Sequence, residues 1–364
     1  MPRVAVVTPH VTSHDAVCND VYGMSEALRR RRCEARIYAA DWTVSEAELK
    51  VWPVSRIKDF LKNSDDALIY HHSMGWETGS DLLAGSDCRR IIRYHNVTPP
   101  SFFSSWSEEY ESVCRAGREQ TSATVRSGCD AYLSASEYNM SELISEGAPA
   151  SRSFVVPPFN RINDLFDAEP EFEIIDRYRD GQANLLMVGS LVPNKGHVAL
   201  LEAFAAYHHD YHPDSRLFLV GKNKTNLARY TSFLHEVTER LGLKDSVIFT
   251  GEVSESELKS YYLISDLFVM ASEHEGFCVP LVEAMAMKVP IVAFSSSAIP
   301  ETVSKAGLVW DDRDPYLFAE SVDTLINDES LRMRLSLLGK QRYDELFTND
   351  RIDLAFFSAV GELL

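Results

Sequence analysis

The sequence lacks the features that mark several large classes of protein. It has no Cys-x-x-Cys pair, no regular cysteine spacing, no internal repeat and no low-complexity tract. Irregular spacing argues against a zinc site or a disulfide framework and favours reduced thiols. No stretch of uncharged apolar residues is long enough to span a bilayer as a helix. The six cysteines are Cys18, Cys33, Cys88, Cys114, Cys129 and Cys278.

Positive charge is also scarce. The 364 residues carry a formal net charge of −18, whereas a protein that binds nucleic acid needs a basic surface to neutralise phosphates. Residues 1–8 lack the long apolar segment of a signal peptide. We therefore expect a cytoplasmic protein with no nucleic-acid partner. Arg29 to Arg32 form a basic helix end that suits the helix dipole and offers one place for peripheral contact with the inner face of an anionic membrane.

Short apolar runs separated by helical patterns are what the sequence has in abundance. Val4 to Val7 is typical of a buried strand, and Val21, Met24 and Leu28 follow at helical spacing. Strands that alternate with helices predict the α/β fold class, with parallel sheets covered by helices on both faces.

The alternation is interrupted once and then resumes. Two consecutive prolines, Pro157 and Pro158, follow a predicted strand and are typical of a linker. We therefore predict two doubly wound, Rossmann-like domains that face each other across a cleft. The predicted ranges are 1–157 for the N-terminal, acceptor-side domain and 158–346 for the C-terminal, donor-binding domain, with a C-terminal helix at about 347–364 that packs back on the first domain.

The most informative segment runs from Ser272 to Met285. Pro280 is expected to open a helix, because a proline at the first helical position loses no hydrogen bond. The amides of residues 277–279 would then point from the helix N-terminus towards an anionic or hydroxyl-rich ligand. Glu275 and Glu283 would supply hydrogen-bond acceptors for different parts of one polyhydroxylated ligand.

This segment resembles the retaining glycosyltransferases of family 4, which have the GT-B fold. Their hallmark is two glutamates separated by seven residues, after a strand of the second domain. Glu275 and Glu283 match it within the run Glu-Gly-Phe-x-x-Pro-x-x-Glu-Ala-Met, and the similarity continues from Val289 to Leu308.

The resemblance implies roles in a donor site. Glu275 would bind hydroxyls of the donor sugar, and Glu283 would bind the ribose of the nucleotide. The backbone amides of Phe277, Cys278 and Val279 would contact sugar or phosphate oxygens. The family commonly has glycine at the position of Cys278.

A second segment continues the resemblance at the start of the second domain. Gly189 follows an apolar strand, and Lys195 has the place of a cation that stabilises the leaving diphosphate. Many members have arginine where this chain has Ser190. Val253 lies in a loop that resembles the family's base-contacting loop, and Lys222 ends another strand on the same side.

Fewer family features occur in the first domain. The family has a histidine near the transferred sugar where this chain has His95. Most members have a Gly-Gly pair in the loop after the first strand, whereas here Asn19 and Asp20 lead the next helix, either as donor or acceptor contacts or as helix caps. His71 and His72 are predicted to lie in a third loop that contacts the acceptor.

The resulting hypothesis is transfer of a sugar from a GDP-sugar or UDP-sugar to a hydroxyl of a glycan or lipid-linked saccharide in bacterial polysaccharide assembly. Several segments look most like mannosyltransferases, which favours GDP-mannose. We expect no cofactor and no metal, since no Asp-x-Asp site accompanies the donor motifs. Two alternatives remain open: a 2-epimerase that acts on the nucleotide sugar, and a non-catalytic module that only binds it.

Overall fold

The computed structural model describes residues 2–13, 15–44 and 49–364, and the chain divides into two compact units. Unit 1 contains residues 1–101, 109–160 and 347–364, and unit 2 contains residues 102–108 and 161–346. The division after residue 157 that the sequence predicts therefore lies at Asn160, three residues later, and the C-terminal residues belong with unit 1.

One short segment departs from the predicted division. Residues 102–108 fall within the range predicted for the N-terminal domain, but they belong to unit 2. The ring of Trp106 lies 5.0 Å from that of Tyr230 and 5.2 Å from that of Phe233. Contact between large aromatic rings stabilises this placement, and no local pattern reveals it because the partners are distant in the chain.

Unit 1 is built on a seven-stranded parallel sheet with helices on both faces. The strands are β1 (Arg3–Val11), β2 (Glu34–Trp42), β3 (Val51–Pro53), β4 (Ala67–His72), β5 (Arg89–Tyr94), β6 (Ala131–Ser134) and β7 (Ser153–Val155). The helices between them are α1 (Ala16–Arg30), α2 (Ile57–Phe60), α3 (Glu77–Ala84), α4 (Glu108–Arg126) and α5 (Glu137–Ser145). The strand order is β3-β2-β1-β4-β5-β6-β7, so the sequence order reverses between β1 and β4.

Unit 2 repeats this topology with six strands. Its strands are β8 (Ala183–Val188), β9 (Ser215–Val220), β10 (Val247–Gly251), β11 (Leu267–Met270), β12 (Ile291–Phe294) and β13 (Gly307–Trp310), in the order β10-β9-β8-β11-β12-β13. Its helices are α6 (Ile162–Asp167), α7 (Phe172–Tyr178), α8 (His197–Asp210), α9 (Ala228–Arg240), α10 (Glu255–Ile264), α11 (Val279–Ala286), α12 (Ile299–Val303), α13 (Pro315–Asn327) and α14 (Glu329–Arg342). The order reverses between β8 and β11.

The last helix, α15 (Asn349–Val360), completes the core of unit 1. Its residues Ile352, Phe356 and Val360 are almost fully buried in the same apolar cluster as Val21 of α1. The ring of Phe356 packs edge-on against Phe159 at 6.3 Å. Spacing of four residues places the three side chains of α15 on one face of the helix, which explains why this short helix docks.

The two doubly wound parallel sheets confirm the predicted fold class. Two strands, β3 and β13, were not predicted from the sequence; they are edge strands of three and four residues. In the described part of the chain no helix is both long and apolar enough to cross a membrane.

Candidate functional site

The predicted donor residues of unit 2 lie where two neighbouring strands end. Residues 189–196 follow β8 and residues 271–278 follow β11, and these two strands pair in the middle of the sheet. Doubly wound sheets bind ligands beyond the carboxyl ends of the strands at which the order reverses. The fold therefore brings both predicted motifs to that position.

Lys195 and Glu275 form an ion pair at this edge. Lys195 Nζ donates to Glu275 Oε1 at 2.7 Å, and the two side chains are 17% and 8% exposed. Burial lowers the pKa of Lys195, yet the charge of Glu275 and its hydrogen bond raise it, and the net pKa lies above the ordinary value. The amine is therefore protonated at neutral pH and available to an anion that can compete with Glu275.

Hydrogen bonds to and from Asn194 hold the two loops together. The carbonyl oxygen of Asn194 accepts from the N–H of Glu273 at 2.8 Å, and Asn194 Nδ2 donates to the carbonyl oxygen of His274 at 3.1 Å. Gly196 has a φ of 66°, and a Cβ there would lie 1.9 Å from the carbonyl oxygen of Ala271. Only glycine fits this crossing, which explains the glycine that follows Lys195.

Helix α11 begins beyond Cys278, which has a left-handed backbone with a φ of 74°. This conformation costs a residue with a side chain about 1–2 kcal/mol, so the position suits the glycine that the resemblance leads us to expect there. No side chain caps this helix. Pro280 was predicted to be its first residue, but it is the second, after Val279. Cys278 itself is buried, and burial raises the pKa of its thiol.

Glu283 lies one turn into α11 and receives a hydrogen bond from Tyr262 Oη at 2.8 Å. Burial raises the pKa of Glu283, and the tyrosine hydroxyl opposes that shift by stabilising the carboxylate. Tyr262 is 1% exposed and belongs to α10, so it fixes the Glu283 carboxylate from the side of the core. Sequence analysis missed Tyr262, because no motif links it to Glu283.

The remaining predicted donor residues lie near the same edge with looser geometry. Gly189 and Ser190 are half-buried directly after β8, and Val253 is half-buried after β10. Lys222 follows β9 and pairs with Glu252 at 3.0 Å, with both side chains more than half exposed. Because an exposed ion pair is weak, this contact does not fix the position of Lys222, and its role in donor binding stays a prediction.

In unit 1 the predicted site residue Asp20 forms a fully buried ion pair with Arg93. Arg93 Nε donates to Asp20 Oδ2 at 2.6 Å, and the N–H of Phe159 donates to Asp20 Oδ1 at 2.8 Å. Arg93 Nη1 also donates to the carbonyl oxygen of Val156 at 2.6 Å. Burial raises the pKa of Asp20, whereas Arg93 and the Phe159 N–H lower it. Asp20 thus links α1 to β5 and to the chain after β7.

His71 and His95 lie directly beside this pair. His71 Nδ1 and His95 Nε2 are 2.9 Å apart, and they lie 3.9 Å and 3.5 Å, respectively, from Asp20 Oδ2. Burial lowers the pKa of both imidazoles, and the charge of Arg93 lowers both further. The predicted residues His95, His71 and Asp20 therefore form one cluster.

Three of the predictions for unit 1 are wrong in detail. His71 and His72 are the last residues of β4, not parts of a loop. His72 is buried with Nε2 2.8 Å from Thr121 Oγ1 and Nδ1 3.3 Å from Tyr70 Oη, so both ring nitrogens are occupied inside the protein. Strand alternation explains this, because neighbouring residues point to opposite faces of the sheet.

The third correction concerns the start of α1. Asn19 and Asp20 do not cap this helix, since they lie in its first turns. Its cap is Asp15, whose Oδ1 accepts from the N–H groups of Val17 and Cys18 at 3.0 and 3.2 Å. Asn19 is half-buried and contributes none of the contacts that join Asp20 to the histidines.

The cluster in unit 1 is also the one group of metal-ligand type among the described residues. One atom each of Asp20, His71 and His95 lies within 4.8 Å of the other two. The sequence does not reveal this group, because its members come from α1, β4 and the end of β5. Arg93 was missed as well; it precedes His95 by two residues, and strand alternation places both on one face.

A comparison with known protein families gives a match within the second unit. Residues 170–342 match the family described as glycosyl transferases group 1. The match contains Gly189, Lys195, Glu275 and Glu283, together with the other donor residues predicted from the sequence.

Curated relatives carry this similarity beyond the family match. Mannosylfructose-phosphate synthase of Agrobacterium fabrum is 25% identical over 310 residues, which cover 79% of this chain and 67% of the relative. The GDP-mannose-dependent alpha-(1-6)-phosphatidylinositol monomannoside mannosyltransferase of Mycobacterium tuberculosis is 29% identical over 229 residues, which cover 60% of this chain and 58% of the relative. The similarity thus spans about three fifths to two thirds of these relatives.

Solved structures match the whole chain. Anabaena HepE in complex with UDP and glucose superposes with a TM-score of 0.78 at 16% identity, covering 99% of this chain and 100% of HepE. Sucrose-phosphate synthase from Thermosynechococcus elongatus gives a TM-score of 0.77 at 17% identity, covering 100% and 99%. At such low identity these likenesses show the fold, and they confirm the GT-B class.

Proposed function

We propose that this chain, whose residues 170–342 match the glycosyl transferases of group 1, transfers a sugar from a nucleoside-diphosphate sugar to a hydroxyl group, with the anomeric configuration retained. The observation that carries the proposal is the pair of Lys195 and Glu275 at the carboxyl ends of β8 and β11. One group is a cation suited to a diphosphate, and the other is an acceptor suited to sugar hydroxyls.

Donor binding would separate this pair. A diphosphate oxygen takes the place of Glu275 as the partner of Lys195, which frees the Glu275 carboxylate to accept hydrogen bonds from the sugar. Glu283, held by Tyr262, accepts from the ribose. The amides of residues 277–279, at the start of α11, approach the sugar or phosphate oxygens.

The reaction breaks the bond between the anomeric carbon and the diphosphate oxygen and forms a bond from that carbon to the acceptor oxygen. The acceptor proton passes to the leaving phosphate. Lys195 stabilises the negative charge that develops on the diphosphate. The proposal requires no cofactor and no metal, since Lys195 and the helix N-terminus supply the positive potential.

For the donor we propose GDP-mannose. The mycobacterial relative is described as GDP-mannose-dependent and the Agrobacterium relative as a mannosylfructose-phosphate synthase. HepE was solved with UDP and glucose, which makes UDP-glucose the comparison donor in any assay. We propose a glycan or lipid-linked saccharide as acceptor, with peripheral contact to the cytoplasmic face of the membrane through the basic helix end Arg29 to Arg32.

The first test is a donor panel with purified protein. Binding to the folded state raises the melting temperature, so a larger rise with GDP and GDP-mannose than with UDP and UDP-glucose would support the donor. Transfer of labelled mannose to lipid-linked saccharides tests the reaction. Free mannose without transfer would indicate hydrolysis, and a changed nucleotide sugar would indicate an epimerase; either would contradict transfer.

Variants at the pair test the site. We expect Lys195→Met and Glu275→Gln each to lower kcat on the order of 100-fold to 1000-fold, the usual loss when stabilisation of a developing charge is removed. Lys244→Met is the matched control, since Lys244 forms a surface pair with Glu239 at 3.0 Å in the same unit. Full turnover in both site variants would refute the assignment.

A further inference from the structure

Two histidines of unit 1 share one hydrogen bond at the carboxyl ends of adjacent strands. His71 is the next-to-last residue of β4, and His95 directly follows β5. Their Nδ1 and Nε2 atoms are 2.9 Å apart, a normal hydrogen-bond distance. One of the two nitrogens must carry a proton and the other must accept the hydrogen bond, so the two neutral rings have the same tautomer, either both Nε2–H or both Nδ1–H.

We propose that His71 is a positioning residue that fixes the proton on Nε2 of His95, so that His95 presents a bare Nδ1 as hydrogen-bond acceptor to a substrate hydroxyl. This inference rests on the proposed sugar transfer for the identity of the hydroxyl. It does not rest on it for the state of the two rings.

The charge of Asp20 selects between the two possible tautomers. Its Oδ2 is 3.5 Å from His95 Nε2 and 3.9 Å from His71 Nδ1. A carboxylate favours a proton on the nitrogen that faces it more closely, which is Nε2 of His95. Arg93 holds the carboxylate in this orientation with a hydrogen bond of 2.6 Å to the same oxygen.

The outward side of His95 is the side a ligand can reach. Its side chain is 8% exposed, while those of Asp20 and His71 are fully buried. Within the described residues His95 Nδ1 has no hydrogen-bond partner, and the ring is held by its Nε2 contact with His71 and by stacking on the His71 ring. Burial and the neighbouring charges of His71, Arg93 and His72 lower the pKa of His95, which keeps the ring neutral.

A metal ion is the competing interpretation of the same atoms. Asp20, His71 and His95 have the residue types and the proximity of a ligand set. However, the guanidinium of Arg93 already donates to the Asp20 oxygen that an ion would need, and it adds a fixed positive charge beside the site. A cation there would meet repulsion that the hydrogen-bonded pair does not.

The state of the rings can be measured without any activity. Long-range proton–nitrogen NMR correlation on protein labelled with ¹⁵N-histidine separates the two neutral tautomers from the imidazolium. We expect both His95 and His71 as the Nε2–H form, with His71 Nδ1 bare as the acceptor, assigned by loss of signals in His95→Asn and His71→Asn. A protonated His95, or His95 as the Nδ1–H form, would overturn the proposal, as would a shift of both rings on addition of Zn²⁺ at equimolar concentration.

Kinetics tests the positioning role. His71→Leu should lower kcat about tenfold with little change in the donor KM, because a misaligned group affects the reacting geometry. His71→Asn, whose side-chain amide reaches the position of Nδ1, should recover most of that loss. His72→Leu is the matched control, since it removes a buried histidine from the same strand on the opposite face.

The outcomes separate the two proposals. Equal kcat losses in His71→Leu and His72→Leu, with no recovery in His71→Asn, would reduce His71 to a packing residue and overturn the inference. If the wild-type protein transfers no sugar from any donor, the proposed function fails, while the NMR result still decides the state of the histidine pair.

Discussion

The two units share one sheet topology but place their charged groups in different surroundings. In unit 2, Lys195 and Glu275 come from loops and keep 17% and 8% exposure. In unit 1, Asp20 and Arg93 come from a helix and a strand and are fully buried. A partly exposed pair can exchange a partner for a ligand, whereas a fully buried pair cannot without leaving a charge uncompensated. The first pair is thus suited to binding and the second to holding geometry.

The difference between the two ion pairs should be largest in the free energy of unfolding that is lost when one partner is removed. Asp20→Asn leaves Arg93 as an unpaired buried charge, so we expect it to lower the free energy of unfolding by about 3–5 kcal/mol. Glu275→Gln, its counterpart in unit 2, should cost less, about 1–3 kcal/mol, because Lys195 keeps 17% exposure and the glutamine amide oxygen can still accept its hydrogen bond. Urea unfolding, with hydrogen exchange to resolve the two units, measures both. Similar losses in the two variants would contradict the distinction.

A smaller effect concerns acid. In unit 1, burial lowers the pKa of His72 to about 4 and also lowers the pKa of His71 and His95. Below pH 6.5 these histidines bind protons in the unfolded chain but stay neutral in the folded protein. The free energy of unfolding therefore falls as the pH falls towards the folded pKa values. Each buried histidine contributes about 1.4 kcal/mol per pH unit in this window.

Unit 2 should respond less to acid. Burial lowers the pKa of two histidines there, His197 to about 3 and His208, and raises the pKa of two carboxyls, Asp266 and Glu283, compared with three histidines and Asp20 in unit 1. Carboxyls with a raised pKa bind a proton more readily when folded, so they add stability as pH falls. Hydrogen exchange at pH 7 and pH 5 should therefore show unit 1 weakening first, and His72→Leu should lessen that trend by the share of one histidine. Earlier weakening of unit 2 would refute it.

The smallest effect that we expect is on the KM of the donor, and it tests how Glu283 is positioned in unit 2. Tyr262→Phe removes the hydroxyl that orients Glu283, and we expect the donor KM to rise about fivefold to tenfold with kcat nearly unchanged, which corresponds to about 1 kcal/mol, the net contribution of a typical hydrogen bond. Tyr207→Phe is the control, because Tyr207 is equally buried in the same unit and its Oη has no partner among the described residues. An equal KM in all three proteins would show that Tyr262 does not position Glu283.

Sequence and structure agree best where chemistry is encoded in one contiguous segment. The sheets, the family match of the second unit and the position of Glu275 after a strand follow from apolar runs and from the motif of residues 272–285. Tyr262 and Arg93 could not be predicted, because their partners lie on other helices and strands and only packing brings them together. His72 was misassigned because a loop was expected where β4 continues for two residues, and the period of the strand decides which histidine faces Asp20.

The C-terminal helix has a consequence for the order in which the protein is made. Ile352, Phe356 and Val360 belong to the core of unit 1, yet the ribosome synthesises them after all of unit 2. During translation the part of the unit 1 core that α15 covers therefore stays exposed until the last residues are made. All residues of unit 2 are synthesised before that point. We expect unit 2 to acquire protease resistance first on stalled nascent chains, which reverses the usual N-to-C order of domain folding.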